Sequence, residues 1–202
     1  MALPTIVPIR TGNLVTANML QGIDVTTSPL VWFESVSSGG NLTVSGQFDT
    51  ASWVLPSGQA GRLRFSSGQD LILSGGTKIE NGARGQEAAG NRWHYDLFAQ
   101  QHIEIRGATI STGAGGSITM EAGLSPTLFG DIRLTQLNAN LTGQPLVETF
   151  DGGDITITTD RDLIAPSGLI SSTVTGIRLN QLGNLTMNIG RNFLGGLAGN
   201  SQ

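Results

Sequence analysis

The stretch Gly153–Ile164, GDITITTDRDLI, lies without a gap over Gly183–Leu194, GNLTMNIGRNFL. Apolar residues coincide at Ile155/Leu185, Ile157/Met187, Leu163/Phe193 and Ile164/Leu194, and a short carboxylate or amide precedes the second apolar pair at Asp162/Asn192. Gly61–Ile72, GRLRFSSGQDLI, falls in the same frame, with Leu63, Phe65, Asp70, Leu71 and Ile72 in register. Self-similarity of this kind marks stacked supersecondary units, so it is read before any single element is assigned.

Weaker copies begin at Gly40 (GNLTV), Gly116 (GSITM) and Gly130 (GDIRL). The segment carrying Tyr95, Leu97, His102, Ile103 and Ile105 fits once Trp93 stands where Gly61 does. The anchors are spaced by roughly 20 to 37 residues, within the span of repeat architectures. Each copy holds a short alternating strand, a turn, a second short strand and often a third apolar step, as at Ile79, Ile110 and Ile170. Alternation buries one face and leaves the other to solvent, while Gly, Asn and Asp suit the bends.

One such triangle of strands cannot bury its inward side chains. Stacking coils about 4.8 Å apart pairs each strand with its successor and joins the apolar residues into columns. The expected fold is therefore all-β, a right-handed parallel β-helix (β-solenoid) with short strands and irregular coil insertions. Six or seven coils would make a rod roughly 30 Å long. Leu42, Leu63, Tyr95, Ile118, Ile132, Ile155 and Leu185 are expected in one column, and Val44, Phe65, Leu97, Met120, Leu134, Ile157 and Met187 in a second. An eight-stranded sandwich is the competing architecture. Residues 1–38 fit the repeat poorly and are read as an amino-terminal cap or a degenerate first coil, with parallel β-helix coils over 39–202. Asn81–Trp93, Ala122–Phe129 and Gln144–Gly153 depart from the coil and should project as loops, where specificity commonly sits.

Composition agrees with this reading. The chain has 202 residues, 29 glycines and only 13% charged residues, with a net charge of −4. Its basic residues are scattered singly, so no stripe exists to follow a phosphate backbone, and nucleic acid is not an expected partner. Cysteine is absent, which excludes disulfides and thiolate metal sites. No run of about 18 apolar residues is present, so no membrane span is expected.

The runs GGDITITTDRDLIAPSGLISS, GQDLILSGGTKIENG and HIEIRGATISTGAGGSITMEAG resemble the coils of filamentous haemagglutinin-like exoproteins, the large adhesins of two-partner secretion systems. The resemblance covers roughly residues 39 to 196 through a loose motif of Gly, Asp or Asn, two alternating apolar residues, then Asp-Leu and a small-residue corner. It implies a structural or adhesive module of a bacterial surface or extracellular filamentous protein. Its partners would be further β-helix coils, or other copies of itself joined end to end, and host or matrix glycans. The amino-terminal secretion domain of that family carries an Asn-Pro-Asn-Gly element, whereas this chain has no Asn-Pro.

Candidate chemistry is sparse. Asp151, Asp154, Asp160 and Asp162, with Glu148 nearby, form the one carboxylate cluster, and a carbohydrate-active β-helix enzyme would use it for Ca²⁺ or for acid and base work. Asp154 and Asp162 align with Asn184 and Asn192, which marks them as corner residues. His94 and His102, each followed two residues on by Asp96 or Glu104, lack zinc-ligand spacing and are expected to be outward-facing surface residues. The sequons at Asn41, Asn140 and Asn184 are read as strand starts. Thr156 and Thr158 form an outward Thr-x-Thr pair, but Arg64, Arg133 and Asn188 stand at matching positions, so an ice-binding array is not maintained. Trp32, Trp53 or Trp93 would stack on sugar rings in a glycan-binding module. The sequence thus names no catalytic residue, no cofactor site and no metal site, and points away from an enzyme.

Overall fold

The structure, a computed structural model, describes residues 9–26, 28–35, 39–82, 91–113, 115–135, 146–165, 176–179 and 183–195. The chain is a parallel β-solenoid. Its first sheet stacks β1 (Ile9–Thr11), β3 (Leu30–Ser35), β6 (Ala60–Ser67), β9 (Arg92–Ala99), β12 (Ile118–Ala122), β15 (Ile155–Thr159) and β18 (Leu185–Ile189). The second stacks β2 (Leu14–Thr16), β4 (Leu42–Ser45), β7 (Leu71–Leu73), β10 (Ile103–Arg106), β13 (Ile132–Thr135), β16 (Asp162–Ile164) and β19 (Asn192–Leu194). The third holds β5 (Gln47–Asp49), β8 (Lys78–Glu80), β11 (Thr109–Ser111), β14 (Leu146–Thr149) and β17 (Gly176–Leu179). Among the described residues every strand pairing is parallel. From β3 onward the chain visits the sheets in strict rotation, giving about five complete turns with a partial turn on either side. In the first partial turn a short 3-10 helix, Ala17–Leu20, stands between β2 and β3.

Alternation works as the sequence implies. β6 buries Gly61, Leu63, Phe65 and Ser67 and turns Arg62, Arg64 and Ser66 outward. The inward residues of the first sheet form two columns. Val31, Leu63, Tyr95, Ile118, Ile155 and Leu185 make one, and Phe33, Phe65, Leu97, Met120, Ile157 and Met187 the other. Phe33 stacks on Phe65 with centroids 5.7 Å apart, and Phe48 of the third sheet meets Phe65 edge-on at 5.5 Å. Phe48, Ile79, Ile110, Val147 and Ile177 line the third side of the same core. Ile170, Asn140 and Gln144 lie outside the described residues.

Two members of each expected column belong elsewhere. Leu42 and Ile132 align with Leu71, Ile103 and Leu163 in the second sheet, and Val44 and Leu134 align there with Leu73 and Ile105. Arg133, from the same fragment, likewise faces outward from the second sheet, beside Glu104. The cause is local: a short polar residue followed by apolar-x-apolar starts strands of both the first and the second sheet, and GNLTV and GDIRL are too short to distinguish them. The place left vacant in the first sheet is filled by β3, which pairs with β6 over Leu30↔Arg62 to Glu34↔Ser66.

The leading glycine of the motif is needed for room. A Cβ at Gly153 would overlap the carbonyl oxygen of Gly116, and one at Gly183 would overlap that of Gly153, so consecutive coils touch backbone to backbone here. At Gly61 the same space is taken by the Trp93 indole, whose Cδ2 would lie 2.7 Å from a Cβ. Glycine before the strand and tryptophan in the following rung are thus one packing solution.

Ile157 is fully buried between Met120 and Met187. Ile157→Asp should lower unfolding free energy by about 3–5 kcal/mol, since an unpaired charge would sit between coils. Urea unfolding followed by circular dichroism measures this, and a loss under about 1 kcal/mol, the size of an ordinary surface change, would show that the column does not form.

Candidate functional site

The corner where each second-sheet strand begins carries a polar side chain, and these side chains tie one coil to the next. The Asp70 N–H donates to Asn41 Oδ1 (3.1 Å), the His102 N–H to Asp70 Oδ1 (3.1 Å) and the Asp131 N–H to His102 Nδ1 (2.9 Å). The Asp162 N–H then donates to Asp131 Oδ1 (3.3 Å), and the Asn192 N–H to Asp162 Oδ1 (3.2 Å). A corner N–H points along the solenoid axis with no strand partner of its own, and an unpaired one would cost about 1–3 kcal/mol. One acceptor per coil removes that cost, whether it is an amide, a carboxylate or an imidazole.

A shorter ladder runs along the start of the first sheet. Ser117 N–H donates to His94 Nδ1 (3.1 Å), Asp154 N–H to Ser117 Oγ (3.2 Å) and Asn184 N–H to Asp154 Oδ1 (2.8 Å). Steps in this ladder run from 23 to 37 residues, so loops of very different length leave the stacking intact.

His94 lies on the outward side of β9, as expected, but both histidines are partly buried and each accepts a backbone hydrogen bond from the next coil. His102 does so at a second-sheet corner, and neither shares a site with the other. Their role was hidden because histidine is absent from the other copies at these positions; overlaying His102 on Asp70 and Asp131 is the signal that reveals it. Burial, with Arg62 nearby, holds the His94 pKa below 6.5 against a smaller opposing pull from Asp96.

The carboxylate cluster is divided among different structural roles. Asp154 and Asp162 serve the ladders, and Asp160 Oδ1 accepts the Gly130 N–H at 2.6 Å. Asp151 is exposed in a turn at φ 49, and Glu148 is buried in the third sheet, where Ser111 Oγ donates to it at 3.2 Å. Hydrogen bonds from Arg191, assisted by Asn192, lower the Asp162 carboxyl to about 2. Among the described residues no group of three or more His, Asp or Glu is placed to hold a metal ion.

Sequence reasoning noted Asp96 only as a neighbour of His94 and missed its ion pairs. It is fully buried on the outer side of β9, where Arg62 Nη1 reaches its Oδ1 at 2.6 Å and Arg64 reaches its Oδ2 through Nε (3.2 Å) and Nη2 (3.1 Å). Trp93 is fully buried and tilts against Trp53, centroids 5.2 Å apart, so neither indole is a free platform. Trp32 alone of the three lies on the outer face of the first sheet.

At the last described rung the inward residues lose their cover. Met187 is 36% and Phe193 39% exposed, while Ile157 and Leu163, one rung earlier in the same columns, are at 0%. No described group donates to Oδ1 of Asn184 or Asn192, the atoms that hold the next coil's N–H everywhere else in the ladders.

Compared with known proteins, the chain matches no family model, no curated protein and no solved structure. The solenoid therefore stands on its own strand pairing. No helix among the described residues is long and apolar enough to cross a membrane.

The His94 bond requires a neutral Nδ1, which gives a pH signature. The folded-state pKa lies below the unfolded value near 6.5, so the unfolded chain binds more protons and stability should fall as pH drops from about 6.5 toward the depressed folded pKa. Asp162 contributes in a separate, lower window, between its ordinary value of 3.8 and about 2. The urea midpoint should be lower at pH 5.5 than at pH 7.5, and His94→Asn, which keeps an acceptor but cannot titrate, should shrink that difference. An unchanged difference in His94→Asn would contradict the assignment.

Proposed function

We propose that this chain is a structural and adhesive β-solenoid module of a bacterial surface or extracellular filamentous protein, extended end to end by further coils. The observation that supports this most is the last described rung. Met187, Phe193 and two ladder asparagines present apolar columns and acceptors in the arrangement that every inner rung uses to receive its neighbour. A parallel edge of this kind is a template for another coil, and association that does not close on itself continues as a filament. The likeness of the coil motif to filamentous haemagglutinin-like exoproteins agrees with that reading, and the use of Asp154, Asp160 and Asp162 in bonds between coils supports a shaft over an enzyme.

Sedimentation velocity over a range of protein concentrations, with negative-stain microscopy, tests it. The wild-type chain should form rods that lengthen with concentration, in steps of about 30 Å, the height of six or seven strands spaced at about 4.8 Å. Met187→Asp with Phe193→Asp places charges on the exposed rung only and should leave single, folded units. Particles of constant size at all concentrations, or equal assembly by the double variant, would contradict the proposal.

A further inference from the structure

We infer that the junction between the coil holding β9 and β10 and the coil holding β12 and β13 is an acid-loosened joint, where protonation of two imidazoles unties neighbouring coils. The chain has two histidines, and both act at this junction. His94 Nδ1 accepts the Ser117 N–H at 3.1 Å ahead of β12, and His102 Nδ1 accepts the Asp131 N–H at 2.9 Å ahead of β13. Both ladders therefore cross from one coil to the next through an imidazole.

No other junction among the described residues is built this way. Asn41 and Asp70 hold the ladder before it, and Ser117, Asp131, Asp154 and Asp162 hold the ladders after it. Histidine is the side chain whose ordinary pKa places its change of charge between pH 5 and 8, whereas amides and hydroxyls do not titrate there and carboxylates ordinarily do so lower. Mild acid thus acts on one junction and spares its neighbours.

The chemistry follows from the ring atom in use. A neutral imidazole that accepts at Nδ1 carries its proton on Nε2. A second proton, taken from solvent, goes to Nδ1, the atom that holds the neighbouring N–H. The acceptor becomes a donor, two N–H groups face each other, and one backbone N–H on the following coil loses its partner. Raising the pH returns the proton to solvent and restores the bond.

The charges around each ring give the added proton no ready partner. His94 pairs in register with Arg62 on β6, has Arg64 two residues further along that strand, shares β9 with Arg92 and Asp96, and lies one ladder step below Asp154 through Ser117. The Asp96 carboxylate is already shared by Arg62 and Arg64, while Arg62 and Arg92 oppose a charge on the ring. Around His102 stand Asp70 from the preceding coil, Glu104 and Arg106 on β10, and Asp131, Arg133 and Arg161 from the coils that follow. Asp131 Oδ2 lies 3.6 Å from His102 Nδ1 but accepts Arg133 Nη2 at 2.7 Å, and Asp131 Oδ1 accepts the Asp162 N–H. An ion pair with protonated His102 would draw Asp131 away from those bonds. The apolar contacts Tyr95 on Ile118, Leu97 on Met120 and Ile103 on Ile132 still cross the junction, so it loosens along its ladders while the coils stay stacked.

Hydrogen exchange of the full chain at pH 7.5 and pH 5.0, resolved to single amides and taken relative to the intrinsic rate at each pH, tests the inference. Protection of the Ser117 and Asp131 amides should fall by at least about tenfold in acid, while that of Asp70 and Asn184, held by Asn41 and Asp154, should change by less than about threefold. His94→Asn should remove the response at Ser117 alone and His102→Asn that at Asp131 alone, because asparagine, the acceptor at position 41, keeps a bond without titrating. Equal loss at all four amides, no loss at Ser117 and Asp131, or a response that survives in His94→Asn/His102→Asn would overturn the inference. The joint lies within one chain, so the Met187→Asp/Phe193→Asp variant should exchange as the wild type does, which separates failure of the joint from failure of end-to-end assembly.

Discussion

Every feature of this molecule depends on one constraint: each coil must satisfy the axial hydrogen-bonding groups of its neighbour. Within strands the parallel ladders do so. At the corners the strands end, yet the N–H groups still point along the axis, and Asn41, Asp70, His102, Asp131 and Asp162 each present a side-chain acceptor to the coil that follows. Because the acceptor is chosen by position, its chemical type can vary from rung to rung while the geometry is kept.

Stacking also explains why the interior tolerates such different loops. A column such as Val31, Leu63, Tyr95, Ile118, Ile155 and Leu185 depends on register between strands, not on the distance along the chain. Each fully buried member contributes on the order of 1.5–3 kcal/mol by removal from water, but only when the rungs on both sides are present. The same dependence leaves Met187 and Phe193 half uncovered at the last described rung, and it links the core of the fold to the proposed end-to-end growth.

Much of this was legible in the sequence. The ungapped match of Gly153–Ile164 with Gly183–Leu194 fixed the pairing of β15 with β18 and of β16 with β19 residue by residue. Legibility failed where copies were only five residues long: GNLTV and GDIRL read as first-sheet strands, although the chain had already turned a corner, because both corners demand the same short polar residue. The outer-face network of Trp32, Arg64, Asp96 and Phe98 was illegible for another reason. The outward positions of β3, β6 and β9 carry no repeat, so their meaning emerges only when rungs are brought side by side, and the bonding role of the histidines was hidden because one imidazole replacing a carboxylate resembles a lone surface residue.

The absence of cysteine makes the stacking directly measurable. Thr119 and Thr156 are outward neighbours on β12 and β15, in parallel register, at a strand spacing of about 4.8 Å that a disulfide can bridge. The double variant Thr119→Cys/Thr156→Cys should close a disulfide under mild oxidation in the folded chain and not in urea, while Thr119→Cys/Thr158→Cys, displaced by two residues along the strand, should stay reduced. Efficient closure of the displaced pair, or failure of the registered pair in folded protein, would contradict the parallel stack on which the account is built.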